Sequence, residues 1–509
     1  MSKTRMRSFA LGAAVALLAA VPSAAQVQYQ QYVALGDSLT AGWESGCLVQ
    51  RNQVNSYPAQ LAHILFSGDF EMPLVQEGPL TNSGAPQCLG AIFVPPVSLS
   101  VVPMSEMFGP LNAALPQPYN DLAIPGAGVA DLTTLTHGDP NGTTLQQLSA
   151  LILRNVTGSP FDGTSAVDQA GLLLAPAASN ALATLWIGNN NTLGASTSGI
   201  VVDGVTLIST ADFQQFYSAI IAGIPPGVQL VAANIPDVTA IPFSSTIPPI
   251  LLDANRKPVI INGSTVPLLG QGDSAYPCTP VPPDQGCALP PNALVNLPAS
   301  SLLLTGVGIP VAAGGTGLPL PHGYIDATGP HAGVTLYPDE IALLQQRTGE
   351  YNSIIASSSG SGAVLVDTNA RFADIAAHGF EIGGITLTTA FLTGGIFSYD
   401  GVHPSTIGYT IVADSFIEAI NTQTSSNFPR PNFSNTLFTP NPPDPGLGGS
   451  VRGGGAWSYT YDMWRDVLRS VSTKASSISL PTYRTVSALP AEPGADPGRR
   501  PRTEHRVSD

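Results

Sequence analysis

Five short apolar runs alternate along this chain with longer stretches of helical periodicity, and no other feature of the sequence restricts the fold as much. The short runs are Tyr32–Leu35, Tyr119–Ile124, Ala183–Ile187, Val228–Asn234 and Ala363–Asp367, each of strand length and bounded by Gly, Pro, Asn or Asp. The helical stretches fall near Tyr57–Phe66, Thr144–Asn155, Ala211–Ile224, Asp339–Ser357 and Ser405–Asn421, with Pro404 suiting the first turn of the last. Strands joined through helices pair in parallel, and a parallel sheet is covered on both faces. The expected fold class is therefore α/β, a central parallel sheet with helices on either side.

Two stretches break the alternation. Gln50–Pro118 holds one helical pattern and then a long Pro/Gly-rich passage, while Gly194–Pro338 holds one helix, one strand and then about a hundred loop-like residues. Loops of that length inside a domain are covers or subdomains. From Thr422 the composition changes: prolines crowd at Pro440–Pro445 and Gly446–Gly455 is a flexible run. Residues 26–421 carry six Lys/Arg against 27 Asp/Glu, whereas 422–509 carry ten against seven. We expect one large domain over 26–421, with inserts near 50–118 and 194–338, and a largely disordered tail over 422–509. Trp457–Ser470 could form one amphipathic helix in that tail, and Arg499, Arg500, Arg502 and Arg506 read as a solvated end. The tail lacks the alternating strands of a membrane barrel.

Lys3, Arg5 and Arg7 precede an apolar run from Phe9 to Ala20, and the small residues Ser23 and Ala25 fit cleavage before Gln26. Residues 1–25 read as a signal peptide, the apolar run being short of the ~20 residues a spanning helix needs. The expected location is periplasmic or extracellular, with no membrane span after cleavage. Export permits disulfides. Four cysteines, Cys47, Cys88, Cys278 and Cys287, allow three pairings, of which Cys47–Cys88 with Cys278–Cys287 is favoured because the 278–287 segment is turn-rich. No Cys lies in a motif, so these bonds are expected to serve stability more than chemistry. A metal site is disfavoured: there is no Cys-x-x-Cys and no His-Glu-x-x-His. A net charge of −15 argues against nucleic acid as a partner.

Four places carry chemistry. Tyr32–Leu35 runs straight into Gly36-Asp37-Ser38, at the strand end where open parallel sheets bind ligands. The same triplet recurs at Gly272-Asp273-Ser274, but without a strand entering a helix it reads as a turn. Asp400 and His403 sit three apart at a loop-to-helix junction, so a carboxylate can hold imidazole Nδ1 while Nε2 faces a nucleophile. Alone, that spacing equally describes an N-capping loop. Gly188-Asn189-Asn190-Asn191 ends an apolar run and offers either amide donors to an oxyanion or an Asx turn. Gly126, after Tyr119–Ile124, can offer its backbone N–H; with Gly128 and Asp131 it also resembles a broken dinucleotide fingerprint, in which the Asp would sit where phosphate belongs.

Taken in order, Gly-Asp-Ser, a strand-end Gly, Gly-x-Asn and Asp-x-x-His resemble the SGNH/GDSL family of esterases and lipases. The naming residues match Ser38, Gly126, Asn190 and His403. The resemblance covers roughly 30–421, leaves the inserts unmatched and says nothing about 422–509. It implies a flavodoxin-like three-layer α/β/α sandwich with no metal and no organic cofactor. It implies Ser38 as nucleophile, His403 as general base and Asp400 as the group that orients the imidazole. The oxyanion hole it implies comprises the backbone N–H groups of Ser38 and Gly126 and the side-chain amide of Asn190. Position 191 is Asn where the family usually has Asp, and position 121 is Asp where it often has Asn. Asn234-Ile235-Pro236-Asp237 resembles a structural block of the family.

The expectation is a secreted, monomeric serine hydrolase that cleaves small-molecule or lipid carboxylic esters through an acyl-enzyme. A carbohydrate O-deacetylase or a thioesterase could use the same triad, and a surface-binding protein could keep the fold without the activity. The strongly acidic core favours neutral substrates over polyanions. Apolar stretches in the inserts, Ile92–Val102 and Ile247–Leu252, could form a lid or acyl groove, or pack as ordinary subdomain surface.

Overall fold

The computed structural model describes residues 28–81, 86–94, 98–253, 255–360 and 362–433. The expected signal peptide, the Trp457–Ser470 helix and the tail from 434 lie outside the described residues, as do the side chains of Ile92–Val102.

In chain order the elements that position the site are β1 (Gln31–Gly36), α1 (Ser38–Ala41), α2 (Tyr57–Leu65), β2 (Val75–Pro79), β3 (Gln87–Val94), β4 (Ser98–Pro110), α3 (Thr144–Ile152), α4 (Ala166–Leu174), β5 (Ala181–Trp186), α5 (Asn190–Ser198), α6 (Thr210–Gly223), β6 (Gln229–Ala233), α7 (Pro338–Ser358), β7 (Val364–Val366), α8 (Thr368–His378) and α9 (Thr406–Thr424). The central sheet runs β1-β5-β6-β7, every pair parallel, with Tyr32 opposite Leu182, Leu185 opposite Ala232 and Val364 opposite Val231.

Side chains alternate across this sheet. Val33 and Leu35 join Val167 of α4, Phe213 of α6 and Tyr351 of α7 in one buried cluster. Tyr32 and Ala34 join Leu61 of α2 and Phe416 of α9 in another. The fold is thus a three-layer α/β/α sandwich, and its strands read as continuous apolar runs because both faces are covered.

Tyr119–Ile124 forms a single bridge, Ala34 with Asp121, rather than the expected strand. It still lies along β1: Ala34 N–H donates to Asn120 O at 2.8 Å, and Leu122 and Ile124 N–H donate to Ala34 O and Gly36 O at 3.0 Å. The amides of Asn120 and Asp121 turn away to Glu71 O, and Pro125 ends the pairing. Counting this edge, the order is that of a flavodoxin-like sheet, and the strand order reverses between β1 and β5.

Among the described helices of nine residues or more, α4, α5 and α8 occur where none was expected. The α5 sequence, NNTLGASTS, is poor in helix formers, and its tertiary partners hold it: Asn296 Nδ2 donates to Ser196 O at 2.8 Å. Pro404 precedes the Ser405 N-cap of α9 and so lies outside its first turn. The 50–118 insert is more ordered than its composition implied, forming an antiparallel sheet β2-β4-β3. Pro103 inside β4 masks that strand in the sequence, and the register shifts between Cys88 and Leu89, opposite Ser105 and Pro103, to accommodate it. The 194–338 insert holds α5, α6 and β6 and then short two- and three-residue strands around its own apolar cluster, which includes Leu268, Val295 and Leu320. The disulfides are Cys47–Cys88 and Cys278–Cys287, the favoured pairing. Among the described residues no helix is long and apolar enough to cross a membrane.

Candidate active site

The site forms where β1 ends. Asp37 caps α1, its Oδ1 accepting from Leu39 N–H at 3.0 Å, so Ser38 becomes the first residue of a helix at the sheet's carboxyl edge. His403 Nε2 lies 2.8 Å from Ser38 Oγ, and His403 Nδ1 lies 2.9 Å from Asp400 Oδ2. Ser38 is 4% exposed, while Asp400 and His403 are fully buried. The three-residue spacing that also fitted a capping loop therefore places both side chains in one line with Ser38.

Asp400 is saturated. Its Oδ1 accepts from the backbone N–H groups of Val402 (2.9 Å) and His403 (2.8 Å) and from Ser398 Oγ (3.1 Å), and its Oδ2 accepts from Gly46 N–H at 3.0 Å. Burial alone would raise its pKa, but the charge and hydrogen bonds of His403, with the bond from Val402, hold it below the usual carboxylate value. A carboxylate kept ionised there fixes the proton on Nδ1, which leaves Nε2 free to accept from the Ser38 hydroxyl.

The three asparagines after β5 separate by partner. Gly188, at φ +108°, turns the chain, and a Cβ there would meet Ile235 and Phe213 at 2.8 and 3.0 Å. Asn189 Nδ2 donates to Asp37 Oδ2 at 2.9 Å. Asn190 Nδ2 donates to Ala127 O at 2.9 Å, which sets its amide beside the Gly126 turn. Asn191 Oδ1 accepts from Val129 N–H at 2.9 Å, a bond that an aspartate at this position could make equally well. Gly126 itself sits at φ +85°. The alternative dinucleotide reading fails locally, because Asp131 Oδ2 takes the Gly128 N–H at 2.7 Å.

Two neighbouring carboxyls titrate unusually. Burial pushes Asp37 up to about 6, against the hydrogen bonds from Asn189 and Leu39. Burial pushes Asp121 up to about 8, against only the hydrogen bond from Ala123; its Oδ2 is buried without a partner. The second Gly-Asp-Ser is a turn, with Ser274 exposed and Asp273 Oδ1 accepting from Tyr276 N–H at 2.5 Å.

Sequence reasoning missed the clasp over Asp400. Besides the Gly46 bond, Ser45 N–H donates to Ser398 Oγ at 2.9 Å, and Tyr399 N–H donates to Ser45 Oγ at 3.3 Å. No periodicity or motif marks Ser45 or Ser398. The only local signal is Gly46, whose φ of +83° is one a turn would need. Among the described residues no group of His, Cys, Asp and Glu is arranged to hold a metal.

A family model described as GDSL-like Lipase/Acylhydrolase matches residues 32–416, a span that contains every residue of this site. No curated protein matches the chain at a significant level.

Proposed function

The chain belongs to the GDSL-like lipase/acylhydrolase family, and from that premise we propose that it is an exported serine hydrolase of carboxylic esters. The observation that carries the reading is the unbroken line Asp400–His403–Ser38, at 2.9 and 2.8 Å.

His403 Nε2 takes the Ser38 proton as Oγ bonds to the ester carbonyl carbon. The oxyanion that forms is held by the backbone N–H groups of Ser38 and Gly126 and by the Asn190 amide. Collapse breaks the bond to the alcohol oxygen, which takes the proton from His403 and leaves. Water then attacks the acyl-Ser38 ester, giving its proton to His403, and a second collapse returns Ser38 and releases the acid. Asp400 stabilises the imidazolium at each half. Two disulfides support export, since such bonds persist in oxidising compartments.

Hydrolysis of a p-nitrophenyl ester by the purified protein tests this directly. Ser38→Ala should remove nearly all turnover and Ser274→Ala should leave it close to wild type. An essential Ser274, or no turnover by the intact protein, would overturn the reading.

A further inference from the structure

Two left-handed residues stand side by side in the loop after α1: Ser45 at φ +55° and Gly46 at φ +83°. They are the centre of a tight turn closed by two hydrogen bonds between Glu44 and Cys47, at 3.0 and 3.4 Å. Glycine adopts that conformation freely, but for a serine it is strained, and such strain persists only where the surroundings hold it. Here it turns two successive backbone N–H groups toward one buried carboxylate. Gly46 N–H donates to Asp400 Oδ2 at 3.0 Å. Ser45 N–H donates to Ser398 Oγ at 2.9 Å, and Ser398 Oγ donates in turn to Asp400 Oδ1 at 3.1 Å. Tyr399 N–H closes the ring on Ser45 Oγ at 3.3 Å.

Ser398 also belongs to the loop that carries the triad acid and base. Its N–H donates to His403 O at 2.8 Å, and its carbonyl accepts from Gly401 N–H at 3.0 Å. One residue therefore holds His403 through its backbone and Asp400 through its hydroxyl. The remaining donors to Asp400 Oδ1, the N–H groups of Val402 and His403, lie on that same loop and move with it. Only Ser45 and Gly46 reach the carboxylate from outside, across about 350 residues of chain, and Ser398 is where the Ser45 contact arrives. Ser45 and Ser398 are both buried, so these bonds act in a low-dielectric interior.

We propose that Ser398, braced by the Ser45–Gly46 turn, is a positioning residue of the reaction, which keeps the Asp400 carboxylate aimed at His403 Nδ1. The proposal rests on the hydrolase reading above. A carboxylate turns easily about its last side-chain bond, so its aim is set by the donors on its two oxygens. The aim matters most when the imidazole is charged, as it is while Ser38 is being acylated and deacylated. Ser398 acts through Asp400 and touches no substrate, so its loss should be felt in kcat and hardly in KM.

The test sets Ser398→Ala and Ser398→Thr beside Ser359→Ala, all in the full chain. Ser359 is also buried, but it lies between the end of α7 and the start of β7, on the sheet's amino edge, where its hydroxyl bonds Tyr217 and Ile355 O. Both alanine variants lose a buried hydroxyl and should lower Tm. Only Ser398→Ala should also lower kcat for a p-nitrophenyl ester, by about tenfold, with KM little changed. Ser398→Thr keeps the hydroxyl and should recover most of that loss. Ser45→Ala removes only the brace at Tyr399 and should show a smaller loss of the same kind, which keeps the test open if Ser398→Ala does not fold. A second readout needs no turnover: the low-field NMR resonance of the proton between His403 Nδ1 and Asp400 should shift in Ser398→Ala and return in Ser398→Thr. An unchanged kcat in Ser398→Ala, a loss that Ser398→Thr leaves in place, a change confined to KM, or an unmoved resonance would each overturn the role of Ser398. A resonance that shifts as expected in a protein that turns over no ester would keep that role and sink the hydrolase reading instead.

Discussion

The backbone N–H of Gly46 donates to Asp400 Oδ2 at 3.0 Å, the same oxygen that faces His403 Nδ1. Gly46 is the residue before Cys47, and Cys47 is bonded to Cys88 on β3. Leu89 N–H, next to Cys88, donates to Ser45 O at 2.7 Å. A disulfide from this loop to the insert thereby anchors the backbone that hydrogen-bonds Asp400, although no cysteine lies in a motif.

Removing that bond should therefore cost more than stability. For a separation of 41 residues the chain-entropy loss is roughly 4 kcal/mol. For Cys278–Cys287, with a separation of 9, it is roughly 2–3 kcal/mol. We expect Cys47→Ala/Cys88→Ala to lower both Tm and kcat, and Cys278→Ala/Cys287→Ala to lower Tm alone. Calorimetry, with kcat measured well below both transitions, checks it. Equal kcat in the two double variants would show that Gly46 holds its place without the bond.

The asparagine run gives a residue-resolved test. Loss of an oxyanion-hole donor costs about 10²–10³ in kcat, roughly 3–4 kcal/mol, because the bond matters most in the transition state. Asn190→Ala should show that loss with KM little changed. Asn189→Ala and Asn191→Ala should be milder, since their amides bond Asp37 and Val129 N–H. Asn191→Asp keeps an acceptor for Val129 and should retain activity. A crippled Asn191→Ala beside a mild Asn190→Ala would shift the hole by one residue.

Four of the five apolar runs became the sheet because a strand buried on both faces leaves its composition as evidence. The approach of Ser38, Asp400 and His403 was legible because one sits at a strand end and the other two, three apart, at a loop-to-helix junction. What stayed hidden depends on partners far along the chain. Ser45 meets Ser398 across 353 residues, and nothing local to either records it. Likewise α5 is helical against its own propensities, and β4 is a strand despite Pro103, because neighbouring segments decide both.

Asp121 predicts a pH-dependent stability. Its pKa rises from the ordinary carboxylate value to about 8 in the fold, mainly through burial. Between those two values the native state binds the proton that the unfolded chain releases, so stability falls as pH climbs from about 4 to 8 and then levels. Asp121→Asn removes that dependence while keeping an acceptor for Ala123 N–H. The variant should match wild type near pH 4 and exceed it in Tm by a margin that grows to pH 8. A constant difference across the range would mean that Asp121 does not carry the titration.

The packed part of the chain extends past the composition change at Thr422. α9 runs to Thr424, and the chain beyond it returns to the core: Phe428 is 6% exposed and stacks near Tyr29, with ring centroids 6.5 Å apart. Asn421 exchanges two hydrogen bonds with the Phe428 backbone at 2.7 and 2.8 Å. Arg430 pairs with the buried Asp414, whose other cation, Arg371, stands at 3.5 Å. Arg430 is itself half exposed, so its ion pair is partly screened and contributes less than the packing of Phe428. Phe433 still touches the fold, its ring centroid 5.5 Å from that of Phe380. Truncation after Phe433 should leave a folded, active enzyme, since every site residue precedes it. Truncation after Asn427 should cost about 2–4 kcal/mol, mostly the burial of one phenylalanine side chain and the hydrogen bonds that seat it. Denaturant titration of the two truncated proteins, with ester turnover as the second readout, separates them. Equal midpoints would place the boundary back near Thr422, and loss of soluble protein on truncation after Phe433 would show that the core depends on residues beyond it.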